Sequence, residues 1–454
     1  MSSTIGFYGG VGSVTGANFM LDTGKTAILV DCGLVQGSDF AGESNAAKFV
    51  YNPAEVDVLL VTHAHADHIG RIPKLVRDGF KGVIYSTEPT KLLARYMFDD
   101  ALKIMQMEAV RDNRETLYGG EDIEMALSLW KTKPYKVSFD VGDGVTASLH
   151  DAGHILGSAM VALERAGKKI IFTGDLGNVP QPLVGAPDIQ TDYDYMVIES
   201  VYGDRSHEEV SERAELLKSY IEEIIRTKGT LIIPAFSLER TQGMLLEINN
   251  LVESKAIAPI KTFLDSPLAI RVTEVYRKSV GFLKEEVQKQ IEGGDDIFAF
   301  DGLSFTETVK ESSQIARIDG PKIIIAGSGM SHGGRIRNHE KEYLGDTNAM
   351  VLLVGYQAVG SIGRLLQDGA KQVFIDKVKV KVRAKIATIR GYSGHADRDQ
   401  LVEFVHTGLT EKTKQIFVTM GEERSSLFLT QRLRDYLGAP AIAPEANAEI
   451  KIDF

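Results

Sequence analysis

The residues best suited to chemistry form one short cluster, THAHADH, in which three histidines and an aspartate fall within six positions. His63, His65, Asp67 and His68 follow the apolar run VDVLLV and precede a helical pattern. Imidazole nitrogens and carboxylate oxygens are the zinc donors expected where thiolates are lacking. We therefore expect a tight loop that directs His63 and His65 at one ion, and Asp67 and His68 at another.

Three further residues of suitable type stand at the ends of other apolar runs. His154 lies in DAGHILGSA, whose small side chains allow a ligand to approach closely. Asp175 ends IIFTGD, where one carboxylate can bridge two ions, as two-metal sites require. Asp31 ends AILVD and is expected to accept a hydrogen bond from a ligand histidine and so orient it. Each alone has a plainer interpretation as a turn residue, and the histidine cluster is what favours metal binding.

The elements that must position these residues are short runs rich in Val, Ile and Leu that alternate with helical patterns. The runs occupy 27–33, 56–63, 168–175, 195–200, 230–236, 261–267, 322–329, 350–356 and 415–421. Such runs predict an α/β protein whose strands are buried on both faces. Functional residues in such folds lie beyond the carboxyl ends of the strands. Amphipathic patterns predict helices over 208–227 and about 268–292.

Size and charge limit the classes of protein. A chain of 454 residues exceeds one ordinary core, so two domains are expected. The net charge of −11 argues against a broad basic surface for nucleic acid, although a local channel remains compatible with it. Bound metal ions would add positive charge where a phosphate must lie.

Cysteine content and hydropathy indicate the compartment. The single cysteine, Cys32, cannot form an internal disulfide or a thiolate zinc cluster. No apolar run approaches the ~20 residues needed to span a bilayer, and the N-terminus lacks the pattern of a signal peptide. We expect a cytoplasmic protein without membrane contact.

The order of these residues resembles the metallo-β-lactamase superfamily, and the later motifs resemble its β-CASP nucleases. Those later motifs are ESVYGDRSH at 199–207, IPAFSLERTQ at 233–242, DSPLA at 265–269, GSGMSHGGR at 327–335, VGYQAVGSIGR at 354–364 and GYSGHAD at 391–397. The resemblance covers nearly the whole chain in order. It points to archaeal and bacterial relatives of the endonuclease subunit that cleaves pre-mRNA before polyadenylation.

The resemblance implies an αββα sandwich built from both ends of the chain, with an inserted β-CASP α/β domain. The expected boundaries are 1–203 and 371–454 for the two parts of the sandwich, and 204–370 for the insertion. It also implies two zinc ions. The first would be held by His63, His65 and His154, the second by Asp67 and His68, with Asp175 bridging them.

One position departs from the family pattern. The family's third β-CASP motif usually places a histidine at a strand end before Gly-Glu, and this chain has Met420 there. In RNA-acting members that histidine completes the second zinc site, whereas DNA-acting members carry a hydrophobic residue. A thioether is a poor zinc ligand. We expect a weaker second site, completed by water or Glu422, and the plainest interpretation is that Met420 only packs.

The expected activity is hydrolysis of RNA phosphodiesters, by an endonuclease with 5′→3′ exonuclease activity as a further expectation, in RNA processing or decay. Asp67 would orient the attacking hydroxide, and His395, oriented by Glu199, would donate a proton to the leaving oxygen. The expected products are a 5′-phosphate and a 3′-hydroxyl. Glycine-rich turns suit phosphate binding, and the expected contacts with single-stranded RNA are Ser237, Arg240, Arg335, Tyr356 and Arg364.

Three alternatives remain open. Met420 motivates a DNA nuclease of the same family. A non-catalytic RNA-binding subunit is disfavoured because six core ligand positions are intact. Another hydrolase of the same fold, such as a thioesterase or lactamase, is disfavoured because small substrates need no inserted cap. Family members often pair through the metallo-β-lactamase domain, so a homodimer is also expected.

Overall fold

The structure, a computed structural model, describes residues 2–37, 41–207, 212–355, 357 and 360–454. The chain divides into two compact units. The first comprises Met1–Val179, Gly185–Ser206 and His395–Phe454, and the second comprises Pro180–Val184 and His207–Gly394.

The first unit contains two seven-stranded sheets. One has the order β22-β1-β2-β3-β4-β5-β6, formed by β1 (Ser2–Gly9), β2 (Asn18–Asp22), β3 (Ala27–Val30), β4 (Val58–Leu60), β5 (Val83–Ser86), β6 (Trp130–Thr132) and β22 (Glu449–Asp453). The other has the order β21-β20-β11-β10-β9-β8-β7, formed by β7 (Phe139–Gly142), β8 (Val145–Asp151), β9 (Ala159–Arg165), β10 (Lys168–Phe172), β11 (Tyr195–Ile198), β20 (Gln415–Val418) and β21 (Ala441–Ile442).

The two sheets share one apolar core, and helices cover their outer faces. Phe7 and Val30 of one sheet belong to the same buried cluster as Phe172 and Phe417 of the other. The helices of this unit are α1 (Ala41–Ala46), α2 (Ala66–Ile69), α3 (Ile72–Arg77), α4 (Glu88–Asp112), α5 (Gly120–Ser128), α13 (Arg398–Gly408) and α14 (Glu423–Leu437). Helices α13 and α14 pack on the second sheet through a separate apolar cluster. This layering is the expected αββα sandwich.

The second unit is built on a six-stranded parallel sheet of order β14-β13-β15-β12-β16-β19. Its strands are β12 (Thr230–Pro234), β13 (Lys261–Leu264), β14 (Leu303–Phe305), β15 (Lys322–Ala326), β16 (Ala349–Leu353) and β19 (Lys385–Thr388), beside a two-stranded hairpin of β17 (Gln372–Ile375) and β18 (Val378–Lys381). Its helices are α6 (Arg213–Thr227), α7 (Arg240–Glu253), α8 (Pro267–Lys278), α9 (Glu285–Glu292), α10 (Val309–Gln314), α11 (Ile336–Tyr343) and α12 (Ile362–Gln367). Strands β12, β15 and β16 are buried along their whole length, as continuous apolar runs predict.

One expectation differs from the structure. The single helix over about 268–292 is wrong, because a 3-10 turn at Val280–Phe282 separates α8 from α9. The second compact unit runs to Gly394, and its strand β19 pairs with β16. The domain boundaries at 203/204 and 370/371 stay a prediction. The start of the helix expected over 208–227 lies outside the described residues, and α6 accounts for the rest of it. Within the described part of the chain, no helix has the length and apolar character needed to cross a bilayer.

Candidate metal centre

The histidine-rich loop lies between β4 and α2 and is held by backbone contacts. The N–H of Ala17 donates to the carbonyl of Asp67 at 2.9 Å, and the N–H of Cys32 donates to the carbonyl of His68 at 2.8 Å. Gly33 lies so close to this loop that an added Cβ would stand 1.5 Å from the carbonyl oxygen of Asp67. The absence of a side chain at Gly33 therefore allows β3 and the loop to approach each other.

Asp31 and Thr62 fix the orientation of two histidine rings. The hydroxyl of Thr62 donates to Asp31 Oδ2 at 2.7 Å, and it lies 3.0 Å from Nδ1 of His63. Because that hydroxyl has given its only proton to Asp31, it accepts from Nδ1–H of His63. Nδ1 of His68 likewise donates to Asp31 Oδ2 at 2.7 Å. Both rings therefore direct Nε2 away from this network.

Four donor atoms converge at the ends of β4 and β10 and in the loop after β8. His63, His65, His154 and Asp175 each offer one ligand atom, and these atoms lie within 4.8 Å of one another. His63 Nε2 and His154 Nε2 stand 3.1 and 3.2 Å from His65 Nδ1. Asp175 Oδ2 stands 3.4 Å from His63 Nε2 and 3.6 Å from His154 Nε2. This geometry fits a single metal ion enclosed by four ligands.

A second set of donors lies on the other side of Asp175. His68 Nε2 and Asp175 Oδ1 are 3.2 Å apart, yet they do not meet hydrogen-bonding geometry. Neither atom has another hydrogen-bond partner among the described residues, although both are buried. Buried polar atoms without partners are costly, and a shared metal ion would satisfy both. Asp67, at the start of α2, is half-buried beside this pair.

His395 and Glu199 form an ion pair adjacent to the first set of donors. Glu199 follows β11 and is 1% exposed; its Oε1 accepts from the backbone N–H of Leu176 at 2.7 Å. Nδ1 of His395 lies 3.3 Å from the same oxygen and 3.8 Å from Asp175 Oδ2. Asp397 caps α13 two residues later, and His395 forms a β-bridge with Gly177. These contacts place the ring beside that of His154, with centroids 4.6 Å apart.

Electrostatics match these roles. Burial first, and then His68, lower the pKa of His63 well below its usual value, so the ring is in the neutral, metal-ligating form. Burial disfavours ionised Asp175, but the neighbouring His68 outweighs burial and holds the pKa of Asp175 well below the usual range. Burial also disfavours charged His395, but Glu199 and then Asp175 raise its pKa to about 9.

Met420 lies at the end of β20, beside the second set of donors. It is 2% exposed, belongs to the apolar core and lines a small cavity together with His68 and Glu199. Its φ of 47° is left-handed, which is uncommon for a residue other than glycine. Glu422 is exposed at the N-terminus of α14, and within the described part of the chain no hydrogen bond or ion pair joins it to the donors.

Four of the five expected RNA-contacting residues are described by the structure, and these four lie in the second unit. Ser237 follows β12, and its Oγ is 3.2 Å from Oγ of Ser266; Arg240 begins α7. The guanidinium of Arg335 donates to Asp265 at 2.7 Å and to two backbone carbonyls, so its hydrogen bonds brace a loop. Arg364 pairs with Asp368 one helical turn later. Tyr356 lies outside the described residues.

Sequence reasoning did not identify two residues that position the ligands. Thr62 orients His63 through its hydroxyl, and its place directly before the first histidine was the available signal. Ser158 accepts from the backbone N–H groups of His154 and Ile155 at 3.1 and 3.2 Å, which fixes the His154 loop. Serine three or four residues after a ligand is too common to predict this contact from sequence.

Imidazoles and carboxylates that converge at strand ends, beside a buried acid–base pair, define the site of a metal-dependent hydrolase. The sequence profile of the metallo-β-lactamase superfamily matches residues 13–225, and that of the Beta-Casp domain matches 241–366. A third profile, the Zn-dependent metallo-hydrolase RNA specificity domain, matches 379–444.

Relatives match over nearly the full chain. Ribonuclease TTHA0252 of Thermus thermophilus is 35% identical over 426 residues, covering 94% of this chain and 95% of its own. An RNase J-like protein of Methanocaldococcus jannaschii is 31% identical, with 96% and 97% covered. Transcription termination factor FttA of the same organism is 29% identical, with 95% and 68% covered. The chain belongs to the β-CASP family of the metallo-β-lactamase superfamily.

The fold also recurs in a solved structure. The crystal structure of a protein of unknown function from Enterococcus faecalis V583 matches with a TM-score of 0.58 and 11% identity, covering 100% of both chains. This likeness concerns the fold alone.

Proposed function

We propose that this protein is a zinc-dependent ribonuclease that hydrolyses phosphodiester bonds of single-stranded RNA. The observation that carries the proposal is the convergence of His63, His65, His154 and Asp175 within 4.8 Å, beside the His395–Glu199 pair. Relatives named as a ribonuclease and as RNase J-like, each covered over nearly its full length, support RNA as the substrate.

The donor geometry supports zinc. Zinc–nitrogen bonds of about 2.0–2.1 Å in a tetrahedron separate the ligand atoms by roughly 3.3–3.4 Å. Four of the six separations among the donors, at 3.1 to 3.6 Å, bracket that value, and all six are within 4.8 Å. The second ion would be held by Asp67, His68 and Asp175, and Met420 beside His68 is a poor ligand, so the affinity of this site would be lower.

The chain's own residues perform the positioning and the proton transfer. Zinc held by these residues would supply Lewis acidity for the phosphoryl oxygens and would make water acidic enough, with a pKa of about 7, to act as a nucleophile at neutral pH. Asp67, half-buried at the start of α2, orients the attacking water. His395, held through Nδ1 by Glu199, gives a proton through its other ring nitrogen to the leaving 3′-oxygen as the P–O bond breaks. The products are a 5′-phosphate and a 3′-hydroxyl.

One observation favours a second candidate, a DNA nuclease of the same family. Met420 is buried in the apolar core, and DNA-acting members carry a hydrophobic residue at this position. We retain RNA as the leading substrate because the RNA specificity profile matches 379–444 and two of the relatives are named as a ribonuclease and as RNase J-like.

The test is a digestion of end-labelled single-stranded RNA and DNA of the same sequence, beside zinc analysis of the purified protein. We expect internal cuts in RNA with 5′-phosphate products, and His395→Ala should reduce the rate by about 10²–10⁴-fold while retaining zinc. His406→Ala, at a side chain that is 63% exposed, is the matched control and should cleave normally. Cleavage confined to DNA would overturn the choice of substrate, and wild-type turnover by His395→Ala would overturn the proton-donor role.

The oligomeric state and the cellular location of the protein are a further part of this proposal. We propose a homodimer that acts in the cytoplasm, since members of this family often pair through the metallo-β-lactamase domain. Sedimentation equilibrium of the purified protein tests the oligomeric state, and a monomer across the micromolar range would contradict it.

A further inference from the structure

A strongly basic segment that the proposed chemistry does not use lies at residues 371–385 of the second unit. It carries six cations, Lys371, Lys377, Lys379, Lys381, Arg383 and Lys385, and a single carboxylate, Asp376. The whole protein has a net charge of −11, so this positive charge is local. We call β17, β18 and the residues flanking them, 371–385, the basic hairpin.

The hairpin has one buried face and one exposed face. Val373, Ile375 and Val380 are at most 8% exposed and join the apolar core of the unit. The pairing of Phe374 with Lys379 and of Gln372 with Lys381 places these four side chains together on the other face. Phe374 is 63% exposed there. A large aromatic ring is thus held in solvent between lysines.

Most of the cations are not neutralised. Asp376 is already engaged by Arg337 and Lys341 at 2.7 and 2.9 Å, and Lys385 pairs with Glu223. Within the described ranges, no ion pair involves the other five cations of the hairpin, and all five are exposed. Their charge remains available to a polyanion.

The turn keeps a lysine where the backbone favours glycine. Asp376 and Lys377 are the two residues between the strands, and their φ values are 50° and 64°. Two-residue turns with both φ values positive favour glycine at the second position, because a side chain there is strained. Replacement by glycine would relieve strain, so the stability of the turn does not explain this lysine.

We propose that the basic hairpin is a binding surface for single-stranded RNA. Lys371, Lys377, Lys379, Lys381 and Arg383 would contact phosphates, and Phe374 would stack on a base, the combination typical of single-strand binding. This inference rests on the proposed ribonuclease function. RNA is favoured over an acidic protein because the exposed ring lies among the cations, and because the RNA specificity profile begins at Lys379 within β18.

The experiment measures the affinity of a fluorescent, unstructured RNA of about 20 nucleotides from about 50 to 200 mM salt. All proteins carry His395→Ala to keep the RNA intact. The triple variant Lys377→Gln, Lys379→Gln, Lys381→Gln should reduce the slope of log affinity against log salt by about 2, since each phosphate contact contributes about 0.7. Phe374→Ala should weaken binding at least about fivefold without changing the slope, and Phe374→Trp should restore it.

A matched pair of glycine variants separates binding from folding. Lys377→Gly should not lower the thermal unfolding midpoint, yet it should weaken RNA binding and reduce the salt slope by about 0.7. Lys255→Gly is the control, because Lys255 is also an exposed lysine with a φ of 60° but lies just after α7. It should leave RNA affinity unchanged.

The outcomes distinguish this inference from the function on which it rests. If the protein with intact His395 cleaves RNA while the triple variant binds with unchanged affinity and slope, the hairpin proposal fails alone. If the protein with intact His395 and an unchanged hairpin neither cleaves nor binds RNA, the ribonuclease proposal fails as well. If the triple variant loses RNA binding while Phe374→Ala binds with unchanged affinity, the single-strand assignment is overturned. Equal affinity of the protein for duplex and single-stranded RNA would overturn it as well.

Discussion

Oδ2 of Asp31 lies 2.7 Å from Nδ1 of His68, and the opposite nitrogen of that ring lies 3.2 Å from Asp175 Oδ1. The carboxylate of Asp31 thereby fixes both the tautomer and the direction of His68, a candidate metal ligand. Asp31 occupies a left-handed conformation, with a φ of 60°, at the end of β3.

Asp31→Asn should weaken metal binding without unfolding the protein. The amide is a poorer acceptor for Nδ1–H of His68, and loss of such a partner typically costs about 10–100-fold in metal affinity. Chelator competition measures the affinity. Asp57→Asn, at an exposed aspartate that accepts from the N–H of Ala27 at the start of β3, is the control and should bind metal normally. An unchanged affinity in Asp31→Asn would show that His68 needs no such partner.

Met420→His should strengthen the second metal site by about tenfold or more, because imidazole replaces a poor ligand beside His68. The left-handed φ of 47° does not oppose the change, since histidine tolerates this region better than most residues. Metal titration by calorimetry measures it, with circular dichroism to check the fold. Met420→Leu, which offers no ligand atom, should match the parent protein. Equal affinities in all three proteins would place position 420 outside the site.

Gly33→Ala should destabilise the first unit and release metal. The new Cβ would lie 1.5 Å from the carbonyl oxygen of Asp67, so helix α2, which carries Asp67 and His68, must shift. Overpacking of this kind costs about 1–3 kcal/mol. Urea denaturation and elemental analysis measure the two effects. Gly120→Ala, where an added Cβ meets no atom within 4 Å, should leave both unchanged. Full metal content in Gly33→Ala would contradict the proposed contact.

Glu340→Gln should flatten the pH dependence of stability in the second unit. Burial raises the pKa of Glu340 to about 7, outweighing the hydrogen bond from Ser331. The pKa of Glu340 is higher in the folded protein than in the unfolded chain, so protonated Glu340 favours the folded state. Its contribution to the free energy of unfolding is fully present below about pH 4.5 and is lost as pH rises through 7. The loss by pH 8 is on the order of 3 kcal/mol.

Thermal unfolding at pH 5 and pH 8 tests this expectation. The parent protein should lose several degrees between the two values, and Glu340→Gln should lose less. Glu342→Gln, at an exposed position on the same helix, is the control and should follow the parent. Identical pH profiles for Glu340→Gln and the parent would contradict a raised pKa at Glu340.

Local chemistry allowed part of the site to be predicted. His63, His65, Asp67 and His68 lie within six consecutive residues, in the loop after β4 and in α2, so covalent connection alone keeps them close, and their types favour a metal ion as the ligand. Apolar runs long enough to be buried strands predicted the α/β class, and every such run does contain a strand. The helix break at Val280–Phe282 was not predicted, because the amphipathic pattern continues through it.

The sequence by itself determined the class of fold, the family and the candidate metal-binding side chains, since these depend on residue types and their order. Only the tertiary structure decided which distant groups meet. Glu199 and His395 are 196 positions apart, and strand pairing through Gly177 brings them to 3.3 Å. Likewise, the alternation of lysine and valine at 377–381 acquires meaning only when pairing with β17 places Phe374 among the lysines. Proximity across long chain separations is set by packing and pairing, which no local pattern encodes.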